Sequence, residues 1–513
     1  MKTSERLFAI LSLALFCATL VYLSWTHPVH DFANYYFGGK FMREGRFTSQ
    51  LYFPYTFNQM IVATGQPPLF AGFAPNTPFL AMLFMPLSWL PIGVAKIVFN
   101  LGSAILFSVS TYRLAAFHKV RSVYLLLIPV LFFVPLRNEI LFGQVYLLLF
   151  SLLAESWLAY QKGRNLSAAI LLSLAILLKV LPVLLLAFFL FKKEYRIVGY
   201  SIVSCLLLIG VTCFWCAPET WTFYFTDVLS KASNGEIASA YVDNYQSLYM
   251  FFKRMLVPDS VENLHGWLHL PELFSGLLLM VKAVIIALGF YITRKCAAAV
   301  AFSYWIFAMI LMSPYGSTYT FVLLLFPMLF MAEENFQKTK MSALFGLLII
   351  VCNLPLSAFM HLPFPASYLR LFALVALVVL LFSSVWKIAD VKIVGGLCVV
   401  ALLIGCLRTP ENPQSALMLK ESPLLVHHFR IENDRLKIWF WDGNGEHARS
   451  IAFPDQTSVS ADLIRNAVYF RGKLIRTEPG HKLNPVIIDG RKLLYLSDHG
   501  RGIGFYTLRK IDL

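Results

Sequence analysis

Of the 513 residues, 58% are hydrophobic and only 14% are charged, whereas soluble domains run roughly 45–50% apolar and about 25% charged. The apolar residues fall in blocks about 18–25 long, enough to cross a bilayer, which excludes an ordinary soluble fold. The net charge of +15 is scattered over block ends and a polar tail, a pattern of lipid anchoring that argues against nucleic acid as a partner.

The chain opens Met-Lys-Thr-Ser-Glu-Arg and is then apolar from Leu7 to about Trp25. That run is longer than a signal-peptide core, and Ser-Trp-Thr-His-Pro is a poor cleavage site. It reads as an uncleaved first span with a cytoplasmic basic N-terminus. A long aromatic loop follows at about 26–78, and loops of this length are often functional. Further spans fit near 79–91, 93–112, 122–135, 144–160, 166–191 and 196–216. A second long loop covers about 217–274. Spans then fit near 275–293, 297–312, 319–332, 341–359, 366–386 and 391–407, about thirteen in all. Both long loops then face outward, and the basic turns at 192–196, 294–295 and 338–340 face inward. His118-Lys119-Val120-Arg121 is the exception, a basic turn on the wrong side.

The expected architecture is an all-α polytopic membrane domain at 1–407 followed by a small β-rich domain at 408–513. Short strands are expected around 437–441, 467–471 and 492–496, with turns at Asp442-Gly443, Asp489-Gly490 and His499-Gly500. The eight cysteines sit in or beside apolar runs, and Cys213-x-x-Cys216 reads as packing.

Asp31 stands out among the polar residues. It lies just past the first span, and a carboxylate there is costly unless water, a partner or a substrate rewards it. It can act as general base toward a hydroxyl nucleophile. Tyr35 and Tyr36 offer rings for stacking on a sugar, and Lys40 and Arg43 offer charge-assisted contacts to a phosphate. The bland alternative for these tyrosines and cations is interfacial decoration. Lys179 lies within a span, where it either serves a site or snorkels. Asn138, Glu139, Gly143 and Gln144 break two apolar runs, which is tolerated at an interface or beside water. Asp243, Asn244, Gln246 and Ser247 lie in the second loop, and Ser313 to Tyr319 at the outer end of a later span. There is no phosphate-loop or dinucleotide fingerprint and no metal-ligand spacing, so no cofactor is expected.

Taken in order, these features form a pattern. It runs through Asp31, Tyr35-Tyr36, a Gly-rich turn (Gly38, Gly39, Gly45), Leu51-Tyr52, Pro75-Asn76-Thr77-Pro78 and Met85-Pro86. Phe142-Gly143-Gln144, Leu178-Lys179 with Pro182, Asn244-Tyr245-Gln246-Ser247 and Met312-Ser313-Pro314 complete it. Over roughly 5–335 the pattern resembles glycosyltransferase family 87, the polyprenol-phosphate-mannose-dependent mannosyltransferases and relatives with the GT-C membrane fold. The resemblance implies a hexosyltransferase of the bacterial inner membrane with an outward-facing site. It implies a polyprenyl-phosphate sugar donor, a lipid or glycan acceptor, and transfer with inversion. Asp31 falls at the family's catalytic acid. Tyr35, Tyr36, Lys40, Arg43, Gln144, Lys179, Asn244, Gln246 and Tyr319 are the expected substrate contacts. Where relatives carry His after the Ser-Pro pair, this chain has Tyr319 or Thr320. The alternative from another class is a transporter or flippase of polyprenol-linked sugars, though no inverted repeat or midplane helix break is evident.

Overall fold

The computed structural model describes residues 3–29, 31–236, 241, 245–259, 263, 266–331, 339–382, 400, 404, 417–418, 425–453, 458–476 and 480–513. His30, Asn244 and nearly all of the expected span at 391–407 lie outside them. The chain is helical as far as Phe382 and β-rich beyond Leu417.

α1 (Thr3–Leu23) leads into the first loop, which is itself folded into α2 (Phe32–Arg43) and α3 (Pro54–Val62). Then come α4 (Pro78–Phe84) and α5 (Ile92–Phe117). The segment 122–142 forms α6 (Ser122–Leu126), α7 (Ile128–Leu131) and α8 (Phe133–Phe142), bent by 61° at Phe132. Next are α9 (Tyr146–Gln161), α10 (Asn165–Leu178), α11 (Leu184–Phe191) and α12 (Tyr195–Thr212). The second loop carries α13 (Pro218–Phe223), α14 (Leu229–Ser233) and α15 (Leu248–Leu256). The helical part ends with α16 (Pro271–Lys295), α17 (Ala298–Met312), α18 (Leu325–Met331), α19 (Thr339–Cys352) and α20 (Leu369–Phe382). Proline opens α3, α4, α13 and α16, where its missing N–H costs nothing.

Among the described residues, four helices are long and apolar enough to cross a membrane, and the bent 122–142 segment makes a fifth. Six further apolar helices among the described residues are shorter, 10–17 residues, so the expected count of about thirteen full spans is not confirmed. Two expected spans change. Residues 79–91 are not one helix, because Pro86 ends the short α4 and starts a single 3-10 turn. Residues 166–191 are two legs, α10 and α11, with extended backbone at Lys179 between them. The rings of Trp157 and Tyr160, at the end of α9, lie 6.3 Å from Phe188, and Tyr160 also lies 5.2 Å from Phe189. The far end of α11 therefore returns to where α10 began.

The loss of a span at 79–91 and this reversal together gather the basic turns at one end of the bundle. His118 accepts from the Trp157 indole at 2.9 Å and lies 4.6 Å from the Phe330 ring. Tyr160 donates to Glu194, and Lys192 donates to the Cys296 carbonyl at 3.1 Å. The turn at 118–121 thus joins those at 162–164, 192–196 and 294–296, and its apparent exception disappears. The first loop occupies the opposite end, where Lys96 donates to the Pro28 carbonyl at 2.9 Å.

The glycines expected as a turn prove to be two different things. Gly38 and Gly39 are inside α2 and let it lie against α4. A Cβ on Gly39 would stand 2.6 Å from the Phe84 carbonyl carbon, and one on Gly38 would stand 2.5 Å from the Phe73 ring. Gly45 has φ +68 and terminates α2, as a left-handed C-terminal glycine does.

Beyond the helices, the described residues form three antiparallel sheets. β2 (Val426–Glu432), β3 (Arg435–Asp442) and β4 (Gly445–Ala452) form one. β6 (Asp462–Ile464), β7 (Ala467–Phe470) and β8 (Lys473–Arg476) form another. The third has the order β1 (Leu417–Met418), β11 (Thr507–Asp512), β10 (Lys492–Ser497), β9 (Lys482–Ile488), β5 (Ser458–Ser460). The three expected strands fall in β3, β7 and β10. Val426, Phe429, Leu436, Ile438, Leu494 and Leu508 share one buried core.

The β region rests on both long loops. His427 stacks on Tyr55 at 3.9 Å, and Trp441 donates to the Leu69 carbonyl at 3.3 Å. Phe505 meets Phe70, and a Cβ on Gly504 would lie 2.8 Å from the Phe53 ring. On the second loop, Lys231 pairs with Asp498 and Asp227 lies 3.4 Å from His481. The β region and the two loops therefore share one side of the helical bundle.

Candidate active site

Asp31 immediately precedes α2, a place where an aspartate ordinarily caps the helix by accepting from its first amides. Here the side chain makes no such bond. Its Oδ2 instead accepts from the Gln144 side-chain amide at 2.5 Å. The Gln144 carbonyl oxygen accepts in turn from the Tyr35 hydroxyl at 2.6 Å. Asp31 and Tyr35, one helical turn apart on the same face, are thus joined through one buried glutamine.

Gln144 is available because α8 ends at Gly143, which has φ +68. A Cβ at Gly143 would stand 2.7 Å from the Phe32 Cβ. Only a glycine allows the α8–α9 break to close against the start of α2. Glu139 stabilises the same break by accepting from the Leu147 amide at 3.0 Å, at the start of α9. Its other oxygen is buried without a hydrogen-bond partner among the described residues.

Lys179 ends α10 in an extended conformation. Its ammonium donates to Asn76 Oδ1 at 3.2 Å and lies over the rings of Tyr35 at 5.6 Å and Tyr146 at 5.9 Å. Asp31 and Glu139 act on it electrostatically. The backbone break is satisfied locally, since Thr77 donates to the Leu177 carbonyl at 2.5 Å. Tyr319 stacks at a tilt on Tyr146, with ring centroids 5.3 Å apart, and both Tyr319 and Tyr245 lie within electrostatic range of Asp31. Burial, then Asp31 and Tyr146, push the Tyr245 phenol well above its usual range, so it remains a neutral hydroxyl.

Five of the residues read from sequence therefore converge: Asp31, Tyr35, Gln144, Lys179 and Tyr319. Others stand elsewhere. Tyr36 donates to the Leu90 carbonyl at 2.8 Å. Arg43 donates to the Ser88 carbonyl at 2.6 Å and covers the Trp89 ring at 4.3 Å. Lys40 shares that far end of α2, and Arg43 is roughly 18 Å from Asp31 along the axis at ~1.5 Å per residue. Gln246 braces a loop, donating to the Ser367 carbonyl at 3.1 Å, while Ser247 caps α15. The site also contains Asn76, Tyr146 and Tyr245, which are not among the expected contacts. Asn76 and Tyr245 lay inside the short motifs, whereas Tyr146 has only its position two residues after Gln144 to mark it.

The cluster combines a carboxylate with one anchored oxygen, a lysine lodged among rings, and several neutral phenols. It is equipped to accept a proton, offset a developing negative charge and stack a sugar. Among the described residues no group of His, Cys, Asp and Glu is arranged to hold a metal ion.

Residues 73–314 match the model of glycosyltransferase family 87, which indicates a glycosyltransferase. No curated protein matches the chain. The match contains Gln144, Lys179 and Tyr245 and excludes Asp31, Tyr35 and Tyr319. The fold nevertheless brings residues from inside and outside the matched segment into one cluster.

Proposed function

We propose, from the match of residues 73–314 to the model of glycosyltransferase family 87, that the chain transfers a mannose-like hexose from a polyprenyl-phosphate donor to a lipid or glycan acceptor. The observation that carries this reading is the Asp31–Gln144–Tyr35 arrangement facing Lys179. Asp31 takes the proton of the acceptor hydroxyl as that oxygen attacks the anomeric carbon from the face opposite the phosphate. The bond from the anomeric carbon to the phosphate oxygen breaks, and its electron pair leaves with the phosphate. The sugar is transferred with inversion. A phosphate is already a good leaving group, so the departing charge needs a cation more than a proton, and Lys179 is placed to supply one. Gln144 holds Asp31 with one oxygen fixed, and the rings of Tyr35, Tyr146 and Tyr319 form walls for the sugar.

The position of Lys40 and Arg43 at the other end of α2 favours Lys179 as the phosphate partner over either of them. The gathering of basic turns at the opposite end of the bundle supports an outward-facing site in a bacterial inner membrane. The test is Asp31→Asn in proteoliposomes carrying a radiolabelled polyprenyl-phosphate sugar. A fall of about 10²–10⁴-fold in turnover is expected for loss of a general base. Turnover equal to the unmodified protein overturns the role. Movement of lipid-linked sugar across the bilayer without a new glycosidic bond indicates a transporter instead.

A further inference from the structure

The β region is fastened to the second loop by a built contact. Asp498 is fully buried, and its carboxylate accepts from the amides of His481 at 2.7 Å and Gly504 at 2.8 Å. The same carboxylate meets the Lys231 ammonium, which reaches in from α14, at 3.2 Å. Lys231 also donates to the carbonyls of Asp498 and Arg501 at 3.0 and 3.1 Å and pairs with Glu236 at 3.2 Å. Burial alone would lower the Lys231 pKa, but Asp498 and Glu236 outweigh it and raise it, so the ammonium is held charged.

From Lys231 the contacts continue toward the site. Just past the end of α14 comes Gly235, φ +68, where a Cβ would stand 2.4 Å from the Tyr249 ring. The chain folds back so that the Glu236 amide donates to the Lys231 carbonyl. The Tyr315 hydroxyl donates to the Ala232 carbonyl at 2.7 Å and the Glu236 carbonyl at 3.3 Å. The Tyr315 ring stands edge-on to Tyr245 at 5.2 Å, and Tyr245 is the second-loop phenol that feels the charge of Asp31. A Cβ on Gly316 would lie 2.5 Å from the Gln246 carbonyl oxygen, and Ser247 donates to the Pro314 carbonyl at 2.8 Å. Tyr245 is thereby pinned between its own loop and the 313–316 segment.

We propose that the C-terminal β region is a working part of the active site, and that Lys231 is the positioning residue through which it sets Tyr245 against Asp31. This rests on the glycosyl-transfer reading above. The β region acts by fixing the second loop, with Asp498 as anchor, Lys231 as bolt and Tyr315 as strut. The carboxylate of Asp31 itself is untouched by the device.

The test uses the full-length protein in proteoliposomes with Lys231→Met, Lys231→Arg, Tyr315→Phe and Asp31→Asn side by side. Lys231→Met is expected to lower kcat/KM about tenfold through misplacement of a group at the site. The acidic limb of its pH–rate profile stays in place, and Lys231→Arg recovers most of the loss. Tyr315→Phe keeps the ring, removes the strut's hydrogen bonds and lowers kcat/KM about threefold. Unmodified kcat/KM in a folded Lys231→Met protein overturns the proposal, whether or not its β region has become protease-sensitive. Should Lys231→Met fail to fold, Tyr315→Phe decides: unchanged kcat/KM overturns the proposal and the threefold loss supports it. If Asp31→Asn stays active while Lys231→Met loses activity, the base assignment fails and the coupling stands.

Discussion

The two ends of α2 carry equally promising side chains and use them differently. At the first turn, Asp31 and Tyr35 reach across to Gln144 and enclose a polar cluster with Lys179. At the last turn, Arg43 bonds to the backbone carbonyl of Ser88 and, with Tyr36 further back on the Leu90 carbonyl, holds the helix to its neighbour. Residue type alone does not separate the two. What separates them is whether the partner is another side chain with its own freedom to act or a main-chain carbonyl with none.

The sharpest way to break this contrast is at Gln144. Gln144→Leu leaves both Asp31 and the Tyr35 hydroxyl without their shared partner. We expect turnover to fall about 10–100-fold, since loss of orientation by an ångström is worth about that much. A steady-state assay beside Asp31→Asn checks it, and activity within twofold would sink the bridging role. Next comes the middle of the helix. Gly39→Ala places a methyl against Phe84 main chain, which has no side chain to swing away. It should cost about 1–3 kcal/mol, read as a lowered unfolding temperature, and reduce activity by shifting α2 away from α4. Arg43→Ala at the far end, and Tyr36→Phe at the other carbonyl contact, should each cost about 1 kcal/mol of stability while leaving turnover within about threefold. A large activity loss there would erase the difference between the ends.

The smallest effect concerns the β region's hold on the first loop. Burial, with a lesser contribution from His428, lowers the pKa of His427 below its usual 6.5, against an opposing pull from Glu446. A histidine with a depressed folded-state pKa binds its proton more readily when undocked or unfolded. Stability is therefore complete above about pH 6.5 and declines as pH falls through the lower folded value. The β region should become more protease-sensitive at pH 5.5 than at 7.5, and His427→Phe should flatten that dependence while keeping the stack on Tyr55. Equal sensitivity at both values would show that His427 does not titrate at this contact.

Much of the site was legible because polar residues are conspicuous in apolar text. Asp31, Gln144 and Lys179 each interrupt a hydrophobic stretch, and each reaches the cluster. Tyr146 and Tyr245 were harder, because 23 tyrosines in a membrane protein make any one of them unremarkable. The run 166–191 has the hydropathy of one span, since hydropathy does not record a change of direction. Lys179 followed by Pro182 was the available sign, a charge and a helix breaker within a single turn. The hairpins of the β region were plain from Asp442-Gly443 and Asp489-Gly490, whereas its docking was not. Contacts such as Lys231–Asp498 join residues far apart in the chain and leave no periodicity to read.

The reversal at Lys179 also fixes a depth. Its legs have 14 and 8 residues, roughly 21 and 12 Å of helix, both short of the ~30 Å hydrocarbon layer. A hairpin of that height, rooted at the end with the basic turns, stops short of a full membrane width. The break that carries Lys179 is thus held inside the helical bundle, at a depth that one continuous helix over 166–191 would have passed straight through.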